Sequence, residues 1–169
     1  MTSVLFRSHG YDAVGIADVI QAAGMTQGGF YKHLANKEAL ACEAWSPGFA
    51  NVDASWTPSQ GQATADDGPS IEAIVEYYLL AQRTEDRCPM QGHGENAARS
   101  QDGGALRAVY ADGTGALYRT FVTKAGESMD EDRARLFFAA LVGPNMLGRA
   151  SGEADWVQDI KHAVGEAAK

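Results

Sequence analysis

Several things are scarce in this chain, and each shortage narrows what it does. Two of its 169 residues are cysteine, Cys42 and Cys88, too few for a disulfide framework and suited to a reducing compartment. No apolar run approaches the roughly eighteen residues that a membrane span needs. The first ten residues, MTSVLFRSHG, have neither the basic start nor the apolar centre of a secretion signal. A cytoplasmic protein without a membrane partner is expected. Strand-type alternation and internal repeats are missing too. So is an excess of positive charge: the formal net charge is −8, and residues 1–45 set Arg7, Lys32 and Lys37 against Asp12, Asp18, Glu38 and Glu43. That balance excludes a broadly basic surface of the kind most nucleic-acid binders present. A local positive edge survives it, because charges further away than a Debye length of about 8 Å are largely screened.

What remains is ordinary globular material, 45% hydrophobic and 21% charged, in a chain long enough for a substantial core. Its most informative stretch is residues 15–38, GIADVIQAAGMTQGGFYKHLANKE. Ile16, Val19 and Ile20 recur at i, i+3, i+4 and predict a short helix with one apolar face. Gly24 suits the left-handed position past its C-terminus, and Thr26 is a good N-cap whose hydroxyl accepts from residue 28 or 29. A second helix, Gln27 to about Leu34, places Phe30 and Leu34 on one side. Gln27, Gly28, Tyr31, Lys32 and His33 fall mostly on the other. Helix, short turn with glycine, helix is the helix-turn-helix pattern, and the outward face of the second helix is polar and aromatic without acids. Gln pairs bidentately with adenine, Lys reaches guanine O6 and N7, and glycines permit close approach.

The run LFRSHGYDAVGIADVIQAAGMTQGGFYKHLANKEAL resembles the DNA-binding segment of the tetracycline-repressor (TetR/AcrR) family of bacterial regulators. The resemblance rests on LF…GY, I-A-D-V, A-A-G-M-T, G-G-F-Y and N-K-E-A-L, and covers about the first quarter of the chain. It implies an all-α protein with a helix-turn-helix domain over residues 1–46 and a helical effector-binding and dimerisation domain over 47–169. It also implies a homodimer that binds a palindromic double-stranded operator and is released from it by a small-molecule effector, most often as a repressor. Tyr31 and Lys37 would meet backbone phosphates, while Thr26, Gln27, Gly28, Gly29, Lys32 and His33 lie at or toward the major groove. The competing readings are a core Tyr31 with its hydroxyl bonded internally and a packed His33. Relatives carry a longer, more basic first helix, so residues 2–9 read as a shortened one, with Val4 and Leu5 inward and Gly10 as its stop. A curtailed relative that dimerises and binds a small molecule but holds DNA poorly is the alternative function.

Further along, Lys37 to about Ser46 predicts a helix that Ser46-Pro47-Gly48 breaks or kinks, followed by loop or frayed helix over 51–69. Helical stripes follow at Ser70–Glu85 and Asp102–Gly126. In the second, Gly113 and Gly115 each cost about 1 kcal/mol against alanine. Another runs over Asp130–Ala150, with a kink at Pro144, and a last helix occupies 154–167. The resemblance assigns Leu136, Phe137, Leu141, Trp156 and Ile160 to a two-fold interface, against the simpler reading of a core helix. It also sets Tyr77, Tyr78, Tyr110, Tyr118 and Phe121 on helices around an effector cavity, with Tyr78, Cys88, Tyr110 and Phe121 as the pocket.

Residues 87–96, RCPMQGHGEN, resemble the G-C-P-L start of a helix in one branch of the family. A thiol at a helix N-terminus beside Arg87 is a candidate oxidant sensor; a buried small residue is the plainer reading. His93-Gly94-Glu95 has the H-x-E of zinc deaminases without the P-C-x-x-C that must follow. Cys88, His93 and Glu95 have unsupported spacing for zinc, and Cys88 with His93 lacks a third orienting partner for nucleophilic catalysis. The glycines at 92, 94, 103 and 104 match no phosphate-cradling motif. No enzyme activity, metal or cofactor is expected, and a small Cys/His-dependent enzyme is the least favoured of the alternative functions.

Overall fold

Every regular element among the described residues of the computed structural model is a helix. These residues are 5–6, 9–24, 26–57, 68–80, 88–100, 104–126 and 128–169. Val4, Arg87, Gly103, residues 58–67 of the expected loop and the side chain of His33 lie outside them. The elements are α1 (Ile16–Ala23), α2 (Gln27–His33), α3 (Lys37–Trp56), α4 (Ile71–Leu79), α5 (Pro89–Arg99), α6 (Ala105–Ala125), α7 (Glu131–Ala140), α8 (Gly143–Ser151) and α9 (Asp155–Ala168). The all-α class expected from the sequence is the one observed. No helix of the described residues is long and apolar enough to cross a membrane.

The chain forms two compact units, Met1–Asn51 with Arg83–Thr114, and Val52–Gln82 with Gly115–Lys169. In the first, Phe6, Val14, Val19, Phe30, Leu34, Leu40, Ala41 and Trp45 form one buried cluster with Ala97 and Leu106. Gly10, with φ +85°, ends the opening turn, its N–H donating to the carbonyl of Phe6 at 3.0 Å. His93 of α5 lies flat on Trp45 of α3, ring centroids 4.2 Å apart. The Tyr110 hydroxyl donates to the Met90 carbonyl at 2.9 Å, tying α6 to the first turn of α5.

Two expectations need correction. Pro47 does not break its helix: α3 runs on to Trp56. Proline removes a backbone donor and crowds the preceding turn, at about 3 kcal/mol, yet Phe49 and Trp56 beyond it are buried. Their burial contributes roughly 1.5–3 kcal/mol each, enough to hold the second half helical. At Pro144, in contrast, the expected kink is a full break. α7 ends at Ala140 and α8 begins at Gly143, with Pro144 in its first turn, where a missing N–H is harmless.

In the second unit α9 packs on α4, α7 and α8, and Trp56 meets the edges of Tyr78 and Phe121 at 5.8 and 6.0 Å. The buried Asn145 side chain donates to the Tyr78 carbonyl, and Thr120 Oγ1 donates to Asp53 at 2.6 Å.

The corner between α8 and α9 is held by charge. Glu153 has φ +57°, the one non-glycine residue with positive φ among those described. Its carboxylate accepts from Lys161 Nζ at 2.8 Å and from Gln158 Nε2 at 2.7 Å, and sits where a Cβ on Gly148 would be. The buried Lys161 side chain thus has its anion. The Lys161 hydrogen bond pulls the Glu153 carboxyl below its ordinary pKa of about 4.5. A lowered folded-state pKa contributes stability that is complete above the unfolded-state value and is lost as pH falls through the folded one. Glu153→Gln should therefore lower the melting temperature by a few degrees at neutral pH. That corresponds to on the order of 1 kcal/mol once solvent screening of a part-exposed carboxylate is allowed for. The deficit against the parent should shrink as pH drops below about 4.5, which thermal melts across pH will show.

Candidate nucleic-acid interface

The turn between α1 and α2 is built as its residues dictate. Gly24 caps α1 at φ +62° in the left-handed region, where a Cβ would be strained. Thr26 caps α2, its hydroxyl accepting from Gly29 N–H at 3.1 Å. At the start of α1 Gly15 N–H donates to the Asp18 carboxylate at 2.7 Å, and at the start of α3 Ala39 N–H donates to Asn36 Oδ1 at 2.8 Å. These caps satisfy helix-end donors locally.

One side of α2 goes into the core: Phe30 is 1% exposed and Leu34 is buried. The other side is open. Thr26, Gln27, Gly28 and Lys32 are exposed, and Tyr31 is 52% exposed while its ring edge meets Phe30 at 5.2 Å. The reading of Tyr31 as a core aromatic is thereby excluded. None of the ion pairs among the described residues involves Lys32 or Lys37.

The two glycines of α2 differ. A Cβ on Gly29 would lie 3.2 Å from the Thr26 hydroxyl oxygen, so the cap accounts for that glycine. Among the described residues a Cβ on Gly28 would meet nothing within 4 Å, so none of their contacts requires glycine there.

Lys37, at the first position of α3, is half-buried and its ammonium lies 4.3 Å from the centroid of the Tyr11 ring. Tyr11 in turn touches Phe6 and Trp45, ring centroids 5.5 and 6.4 Å away. Burial, followed by the charges of Glu38 and Asp12, raises the Tyr11 hydroxyl above its ordinary pKa. Sequence reasoning found Lys37 but gave Tyr11 no role. The only signal was a G-Y pair at the end of an apolar segment.

The remaining candidates are placed as follows. Cys88 and Tyr110 belong to the first unit, Tyr78 and Phe121 to the second. Cys88 is the N-cap of α5, with Pro89 in the first turn, as its sequence context implies. It is buried, which leaves its sulfur little access to an oxidant. Tyr110 is raised above its usual pKa, chiefly by burial. Phe137 and Leu141 face inward, whereas Leu136 is 73% and Trp156 48% exposed. With Ile160, Leu136 and Phe137 line an apolar groove between α7 and α9. Among the described residues no three His, Cys, Asp or Glu side chains converge on a metal-sized site; Glu95 pairs with Arg99 at 2.6 Å.

The sequence model for bacterial regulatory proteins of the tetR family matches residues 2–44. No protein of curated function matches the chain significantly. Among solved structures, the reduced form of NemR from E. coli superposes with a TM-score of 0.72 at 15% identity, over 95% of this chain and 89% of that one. A TetR-family transcriptional regulator from Cytophaga hutchinsonii gives 0.74 at 18% identity, over 99% and 88%. The two superpositions establish the fold, and the segment that builds the capped turn and the open face of α2 is the part of the chain that matches the model for bacterial regulatory proteins of the tetR family.

Proposed function

We propose that the chain is a homodimeric transcriptional regulator, acting as a repressor, whose α2 enters the major groove of a palindromic operator and which a small-molecule effector releases. The observation that carries this reading is the two-sidedness of α2: Phe30 and Leu34 seal one face into the core while Gln27, Tyr31 and Lys32 stand in solvent. In this reading residues 1–46 make the DNA contact, with Thr26, Gln27, Gly28, Gly29, Lys32 and His33 at the groove and Tyr31 and Lys37 on phosphates. Residues 47–169 bind the effector, with Tyr78, Cys88, Tyr110 and Phe121 as the candidate residues, and pair with a second copy. Exposed Leu136, which lines the α7–α9 groove, and exposed Trp156 in the first turn of α9 support that pairing, since a two-fold partner is the economical cover for such a face. Two copies of α2 would then meet half-sites roughly 34–36 Å apart. The effector acts only through its different affinity for the DNA-competent and incompetent states.

The test is selection of a duplex from a random-sequence pool followed by binding across salt. A palindromic consensus, with affinity that falls steeply as salt rises, is the expected result; no enrichment over repeated rounds would contradict the reading. Because the net charge is −8, binding to non-cognate DNA should be weak. Gly28 gives a second expectation of opposing signs. Gly28→Ala should raise the stability of the protein by up to about 1 kcal/mol, since among the described residues a Cβ there meets no side chain or other element within 4 Å. The same methyl should weaken binding to the selected duplex roughly tenfold by obstructing close approach of the helix. Melting and binding measured on one preparation decide both.

A further inference from the structure

We propose that Tyr11 is a positioning residue for DNA binding: its ring holds the Lys37 ammonium at the first turn of α3, where a backbone phosphate arrives. The proposal rests on the DNA-binding reading and adds to it a residue that touches no DNA itself. Three observations support it. The Lys37 nitrogen sits 4.3 Å from the Tyr11 centroid, well inside the range in which a ring face attracts a cation. The ring is fixed from below by Phe6 and Trp45, at 5.5 and 6.4 Å, both of them 1% exposed or less. Lastly, the ammonium stands at the positive end of a twenty-residue helix, where acids are favoured and cations are not, and among the described residues it makes no ion pair. Glu38 and Asp12 lie near enough to raise the Tyr11 pKa. A lysine kept there by an aromatic face, in no ion pair among the described residues, is arranged for an anion from outside. Holding four rotatable bonds in one place before DNA arrives removes part of the ordering cost of binding.

The experiment measures affinity for the duplex selected from the random-sequence pool as a function of salt, with melting temperature as a fold control, for the parent and for Tyr11→Phe, Tyr11→Leu, Tyr11→Met and Lys37→Met. Lys37→Met should lower affinity roughly fivefold and the salt slope by about 0.9 for each of the two copies on the duplex, the loss of one phosphate contact per copy. Tyr11→Phe, which keeps the ring, should retain both quantities. Tyr11→Leu and Tyr11→Met should each cost roughly two- to fivefold and should cost nothing further in the Lys37→Met background. Methionine keeps a flexible apolar fill against Trp45 should leucine lower stability. The Lys37 side-chain protons should be shifted upfield by the ring in the parent and in Tyr11→Phe, and not in the other two. Ring-less variants that bind like the parent, or that lose affinity equally with and without Lys37, overturn the proposal while leaving the DNA reading intact. A parent that shows no salt-dependent binding overturns both.

Discussion

Lys32→Ala should weaken binding to the selected duplex ten- to hundredfold and leave the melting temperature within about one degree of the parent. Lys32 is exposed, on the side of α2 opposite the buried Phe30, with no ion pair among the described residues. Removing it therefore costs the fold nothing beyond the ~0.5 kcal/mol typical of a surface change. A good base-edge contact is worth about 1–3 kcal/mol of discrimination. In a dimer the loss falls on both half-sites, so the upper part of the range is expected. The pattern across sequences matters as much as the size. A base contact should be lost at one position of each half-site, whereas a phosphate contact would weaken cognate and non-cognate duplexes alike. Binding to duplexes substituted one position at a time separates the two.

A second large effect is expected far from that face. Gly113→Ala should destabilise the protein by about 1–3 kcal/mol, although alanine is the better helix former. A Cβ on Gly113 would sit 2.8 Å from Cδ1 of Phe49 and closer still to Cγ. Phe49 is buried and its ring edge is against Tyr110 at 5.8 Å, so it has no easy retreat. Two residues along α6, Gly115→Ala should do the opposite and stabilise by up to about 1 kcal/mol, because what its Cβ would meet among the described residues is the far end of the Arg119 side chain at 3.5 Å. Denaturant melts of the two variants test the contrast directly. Equal and favourable shifts would mean that α3 and α6 do not approach at Phe49 as described.

That pair of glycines marks the limit of what the sequence shows. From periodicity alone each glycine is a cost of similar size; which one is there for packing depends on Phe49, sixty-four positions earlier in the chain. The helix-turn-helix was legible because its determinants are local: Gly24 as a left-handed cap, Thr26 as an N-cap, and Phe30 with Leu34 on one face all appear as read. Pro47 misled because a local penalty was outweighed by distant burial of Phe49 and Trp56. Trp56 was read as part of a frayed segment and is instead the ring on which Tyr78 and Phe121 meet. His93, stacked on Trp45, carried no pattern that distinguishes a core histidine from a ligand. Tyr11 drew attention only as part of a motif, since the lysine above it lies twenty-six residues on.

The open side of α2 is the surface proposed to meet DNA. A photo-crosslinking side chain in place of Gln27, with a control at the exposed Asp159 of α9, tests this most directly. Irradiation of each variant bound to the selected duplex should join position 27 to a base of each half-site and leave position 159 unjoined. A complex that forms with parental affinity but crosslinks from 159 and never from 27 would contradict it.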